Sequence, residues 1–126
     1  GATRVGMAPD GGASVILPHL VGFRRASEIF LSNRIVEASE AQSIGLITKC
    51  VPDTTLHDEA RKAAMFYAKG APLALAATKR LLWNALGVES CLPEEARTVS
   101  TLSSTADSRE GLAAVIEKRK PVFHGR

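Results

Sequence analysis

Apolar residues recur at spacings of three and four through most of the chain, with glycine or proline wherever the pattern breaks. Residues 1–6 are too short to classify. Residues 12–20 read as a short helix in which Pro18 is tolerated only near the end. Residues 22–32 read as a second helix that buries Phe23, Ala26, Ile29 and Phe30. A brief extended segment follows at 34–36. Residues 38–44 give one to two helical turns stopped by Gly45 as the C-cap. The loose alternation of 46–51 predicts a short strand before Pro52. The strongest helix spans 53–69, with Leu56, Ala60, Ala63, Ala64 and Tyr67 on one face and Gly70 at its end. Pro72 opens another helix at its first turn, striped by Leu75, Leu82, Ala85 and Leu86, with Trp83 as packing. After Gly87 the pattern restarts. Pro93-Glu94-Glu95 reads as an acidic first turn, and Ala96, Val99 and Leu102 line that helix to Ser104. Asp107-x-x-Glu110 has capping-box spacing, with Asp in place of Ser or Thr. The last helix turns Leu112, Val115 and Ile116 inward, and Pro121 ends it. The charged run Glu117-Lys118-Arg119-Lys120 is, on this pattern, a solvated helix face. Periodicity alone therefore predicts a mostly α chain, an all-α bundle with little strand.

Composition narrows the function more than the fold. The 126 residues are 45% hydrophobic but only 5% aromatic, so a core must come from Ala, Leu, Val and Ile. Sixteen basic and 13 acidic residues leave a formal charge of +3, which suits an anionic ligand. Without a basic block or aromatics for base stacking, nucleic acid is not an expected partner. No apolar run approaches ~18 residues, so no membrane span is expected. Cys50 and Cys91 share no metal-ligand spacing, which points to a reduced, cytoplasmic protein with no metal. His19, His57 and His124 read as surface or half-buried residues.

The densest chemistry lies at Pro9-Asp10-Gly11-Gly12. Pro9 presets φ for a turn, and the two glycines allow positive φ and close backbone approach. Asp10, the first carboxylate of the chain, stands just before a helix and has two readings. It caps the free amides of that helix, or it is a proton carrier partly desolvated by Val5, Met7 and Ala8. Ser14 has no paired histidine and does not read as a nucleophile. Gly11-Gly12 lacks the further spacing of a nucleotide-binding fingerprint.

The run Gly6-x-x-Pro9-Asp10-Gly11-Gly12-x-Ser14, followed by Leu17-Pro18-x-Leu20-Val21-Gly22, resembles the crotonase superfamily of enoyl-CoA hydratases and isomerases. The resemblance continues through Leu31-Ser32-x-Arg34-x-Val36-x-Ala38-x-Glu40-Ala41, Gly45-Leu46 and Ala71-Pro72-x-Ala74 with Lys79. It closes at Asp107-Ser108-x-Glu110-Gly111 and Glu117-Lys118-Arg119-Lys120-Pro121-Val122-Phe123-x-Gly125-Arg126. It covers the whole chain but only the second half of a family member.

The resemblance implies the C-terminal part of a crotonase-like α/β spiral. Residues 1–52 would end the spiral core, and 53–126 would form a helical oligomerisation region. It implies an acyl-CoA thioester as partner, with coenzyme A as part of the substrate and no separate bound cofactor. A homotrimer or dimer of trimers with exposed apolar patches on the isolated chain is expected. Both oxyanion-hole amides belong to the other half, so this chain alone is expected to be inactive. One hydratase glutamate also belongs there, and the position of the second is Ala2, which cannot transfer a proton. Some family isomerases carry their acid directly after the loop proline, where Asp10 stands. Lys118 matches the lysine that reaches the phosphates of CoA, whereas the family's nearby aromatic residue is not matched. The expectation is a 3-enoyl to 2-enoyl-CoA isomerase with Asp10 as proton carrier. The alternatives are an enoyl-CoA hydratase and a non-catalytic acyl-CoA-binding or oligomerisation module.

Overall fold

The computed structural model describes residues 1–126 and contains seven α-helices and no strand. A 3₁₀ turn, Ala2–Val5, leads through Gly6 to the Pro9–Gly12 turn. Helices α1 (Ala13–Val21) and α2 (Phe23–Ser32) pack as a pair, and the short α3 (Ala38–Ser43) follows. A second 3₁₀ turn, Asp53–Thr55, leads into α4 (Leu56–Ala68) and α5 (Pro72–Leu86). Helix α6 (Val88–Ser103) and α7 (Ala106–Ile116) return to the start of the chain: α6 packs on α1, and α7 packs on the opening 3₁₀ turn.

Helix boundaries follow the local chemistry at most of the expected places. Gly45 sits in the left-handed region (φ 80°) after α3. There its amide and that of Leu46 return to the carbonyls of Gln42 and Ala41, the paired bonds of a glycine helix stop. Pro72 is the first residue of α5, where its missing N–H costs nothing.

Four expectations need correction. No strand forms at 46–51, because the amides there bond back to α3. Those of Leu46 and Ile47 reach the Ala41 carbonyl, and that of Cys50 reaches Gln42 Oε1 at 2.5 Å. Helix α6 starts at Val88 rather than at Pro93, which lies inside it. A single residue, Gly87 (φ 68°), both ends α5 and caps α6. The Asp107–Glu110 capping box is not formed either. Thr105 is the N-cap of α7, and its hydroxyl accepts from the Ser108 amide at 3.1 Å.

The fourth correction concerns which faces are inside. Helix α7 buries Ser108, Gly111 and Ala114, whereas Leu112, Val115 and Ile116 are exposed. The opening turn comes so close that a Cβ on Gly111 would lie 2.6 Å from Val5 Cα, and one on Gly6 would lie 2.9 Å from the Ser108 amide nitrogen. Only small residues permit such an approach. On α2, Ala26 is buried while Phe23 is exposed. Helices α4 and α5 bury no residue at all. Their stripes, Leu56, Tyr67, Leu75, Leu82 and Trp83 included, face outward.

Candidate active site

The Pro9–Gly12 turn forms as its residue types dictate. The Asp10 carbonyl accepts from the Ala13 amide at 3.1 Å, and both Gly11 (φ 63°) and Gly12 (φ 84°) are left-handed. Gly12 is also pressed against α6, since a Cβ there would meet Val88 Cγ1 at 2.7 Å. The first turn of α1 thus begins against α6 with its free amides pointing at that helix.

Those amides are taken by Glu95, not by Asp10. One Glu95 carboxylate oxygen accepts from the Gly12 amide at 2.6 Å. The other accepts from the Ser14 amide at 3.0 Å and from the Ser14 hydroxyl. Glu95 is 7% exposed. Burial pushes its carboxyl up, but the Ser14 hydroxyl and the two amides outweigh that and hold it below the usual glutamate range. Asp10 makes no capping hydrogen bond to α1 and joins none of the ion pairs. The cap reading of Asp10 is therefore overturned.

Asp10 is exposed and borders a cavity of about 340 Å³. Ile29 and Phe30 of α2 supply its apolar wall, and Ala2 lies on the same rim. The apolar flank expected from Val5, Met7 and Ala8 does not line this cavity. Thr3, next to Ala2, ties the opening turn to the end of α2: its Oγ1 donates to the Phe30 carbonyl at 3.0 Å and accepts from Asn33 Nδ2 at 2.5 Å.

Lys118 lies elsewhere. The charged run at 117–120 is not a helix face, because α7 ends at Ile116 and Glu117 is its C-cap. Lys118 adopts the left-handed conformation (φ 54°) in the next position. There its amide returns to the Val115 carbonyl and that of Arg119 returns to the Ala114 carbonyl. Glycine ordinarily fills that position, and a side chain there costs about 1 kcal/mol. Lys118 borders a cavity of about 630 Å³ together with Arg4, Arg119 and Lys120. Arg119 is paired to Glu110 and Glu117, whereas Arg4, Lys118 and Lys120 join no ion pair.

The tail after α7 is strapped back along the helix by the two carboxylates expected to cap it. Glu110 accepts from Arg119 at 2.5 and 2.8 Å and from the Val122 amide at 2.9 Å. The Arg119 guanidinium, then that amide, hold its carboxyl down at about 2. Asp107 accepts from the amides of His124 at 2.8 Å and Gly125 at 2.7 Å. The His124 amide leads the effects that lower its carboxyl. Asp10 and Lys118 border separate cavities, and Gly1 lines both. Sequence reasoning read Glu95 as part of an acidic first turn and missed its contact with α1. No local signal marks that contact, since the partners of Glu95 lie 81 and 83 residues away.

The chain is matched over residues 1–126 by the family described as Enoyl-CoA hydratase/isomerase. A probable enoyl-CoA hydratase of Rhodobacter capsulatus is 39% identical, over 98% of this chain and 49% of the relative. An enoyl-CoA hydratase structure from Mycobacterium avium subsp. paratuberculosis superposes with a TM-score of 0.92 at 31% identity, covering 98% of this chain and 51% of that one. An enoyl-CoA hydratase/isomerase structure from Pseudoalteromonas atlantica gives 0.88 at 34% identity, over 98% and 50%. The chain spans about half the length of the curated relatives it matches.

Proposed function

The chain belongs to the enoyl-CoA hydratase/isomerase family, and from that premise we propose that it is the C-terminal half of an acyl-CoA enzyme that moves a double bond from position 3 to position 2 of an enoyl thioester. Asp10 takes a proton from C2, the charge spreads onto the thioester oxygen as a dienolate, and the same carboxylate returns the proton at C4. The double bond shifts from C3–C4 to C2–C3 with no net change in atoms. Two backbone amides of the other half hold the developing oxyanion, so this half alone does not turn over substrate. One carboxylate is the right number for a proton leaving and returning on one face.

The observation that carries this reading is the division of labour at the turn. Glu95 does the capping, which leaves Asp10 unpaired beside an apolar-walled cavity. The position of a second hydratase glutamate, Ala2, lies on that same cavity and is chemically inert. Coenzyme A enters as part of the substrate, with no metal or redox cofactor. Lys118, with Arg4 and Lys120 around it, binds its phosphates as an unpaired cationic cluster. The outward stripes of α4 and α5 pack between subunits of a trimer or dimer of trimers. The two unpaired cysteines fit a cytoplasmic location, and no helix is long and apolar enough to cross a membrane.

Hydration is the second reading, favoured by relatives named enoyl-CoA hydratases at 38–39% identity. The test is conversion of 3-enoyl-CoA and hydration of 2-enoyl-CoA by the full-length protein, wild type and Asp10→Asn. Isomerisation that collapses in Asp10→Asn while the thioester still binds is the expected result. Hydration alone, untouched by Asp10→Asn, would give the reaction to the hydratase reading. Binding without either reaction would give it to a non-catalytic acyl-CoA module.

A further inference from the structure

We propose that Glu95 is a positioning residue for Asp10: by occupying the amides of Gly12 and Ser14, it keeps Asp10 from capping α1 and so presents it to the cavity. The inference rests on Asp10 being the proton carrier.

Glutamate is almost never this deeply buried without a paired cation, and Glu95 has none. Its only side-chain partners are two amides and a hydroxyl of the first turn of α1. A buried anion compensated wholly by one helix start is held in a single geometry, because every displacement leaves a donor or the charge unsatisfied. That anchor grips the chain at Gly12 itself and at Ser14, just where two successive glycines give the backbone its widest freedom. With its amides fixed on α6, the turn before α1 has few conformations left.

Asp10 is itself the residue type that competes for such amides. Aspartate is among the best helix caps, and it stands two residues before Gly12. Without Glu95, the free amides of α1 draw the Asp10 carboxylate inward, away from the cavity. A base that must reach both C2 and C4 tolerates little displacement, since an error near 1 Å costs on the order of 100-fold in rate.

The experiment is a double-mutant cycle in the full-length protein, with Glu95→Gln, Asp10→Asn and the pair, reading kcat and KM for 3-enoyl-CoA isomerisation. The glutamine keeps the shape but offers one acceptor oxygen in place of two. Glu95→Gln is expected to lower kcat on the order of 100-fold with KM within about threefold. The double variant is expected to be no slower than Asp10→Asn alone. An unchanged kcat in Glu95→Gln would overturn the inference. Losses that multiply in the double variant would also overturn it, because they would mean only a smaller folded fraction. If Glu95→Gln does not fold, Ser14→Ala replaces it in the cycle. That variant removes one donor, with the same pattern expected at smaller amplitude. Wild-type kcat in Asp10→Asn alone would overturn the proton-carrier reading itself, and that arm separates the two failures.

Discussion

Two regions of this chain differ in whether they bury anything at all. The opening turn with α1, α2, α6 and α7 closes on itself through small residues and one buried carboxylate. Val21, Ala26, Val88, Glu95, Ser108, Gly111 and Ala114 are all buried there. Helices α4 and α5, of similar length and richer in large side chains, bury nothing, and Leu73 is 86% exposed and Phe66 75%. The first region builds a small buried centre around Glu95, while Phe23, Leu31 and Ile116 on its outer faces remain exposed. The second keeps its large apolar side chains at the surface. Hydrophobic content therefore says little about where a core lies; backbone proximity says more.

The comparison is broken most directly at the seam between α7 and the opening turn. Gly→Ala in a helix interior ordinarily stabilises by about 1 kcal/mol. Gly111→Ala should instead destabilise by about 2 kcal/mol, because the new methyl meets Val5 backbone at 2.6 Å. Urea unfolding of the full-length protein checks the sign; a stabilised variant would mean the close approach is not there. Glu95→Ala should cost a little less, about 1.5 kcal/mol, by stranding two helix amides and a hydroxyl. The same unfolding curve measures it.

The tail strap gives a smaller effect with a pH signature. The folded carboxyls of Asp107 and Glu110 lie below their ordinary values, that of Glu110 at about 2. Their contribution is then complete above the ordinary carboxylate range and is lost as pH falls through the folded values. The protection of the Val122, His124 and Gly125 amides, taken relative to the intrinsic exchange rate at each pH, should be high at neutral pH and fall as pH drops from about 4.5 towards 2. Exchange that is fast throughout would remove the strap. The smallest effect on subunit folding is expected on the other side of the comparison. Leu73→Ser or Phe66→Ser should change subunit stability by less than about 0.5 kcal/mol while weakening self-association in sedimentation. Unfolding of the subunit itself would place those side chains in a core.

Most helices were legible because local residues make them: Gly45 stops α3, Pro72 starts α5, and the Pro9–Gly12 turn forms as written. The errors arose where a partner the pattern does not show, near or distant in the chain, outcompetes the expected one. Periodicity favours Leu112, Val115 and Ile116 as the inner face of α7, yet the opening turn leaves room only for Ser108, Gly111 and Ala114. Gly111 in mid-helix was the one available hint. Pro93 looks like a helix start, but Gly87 had already supplied one. Asp107 and Glu110 have capping spacing, yet the tail offers them an arginine and backbone amides. Asp10 was placed correctly in its turn. Its freedom from capping was invisible because the residue that relieves it lies on α6.

In the proposed reaction Asp10 moves a proton at C2. The most direct measurement is solvent deuterium uptake at C2 of a bound acyl-CoA by full-length protein, with wild type and Asp10→Asn compared at matched occupancy. Uptake in the wild type that disappears in Asp10→Asn is the predicted result. Equal uptake in both would contradict the account and return the proton transfer to the other half of the enzyme.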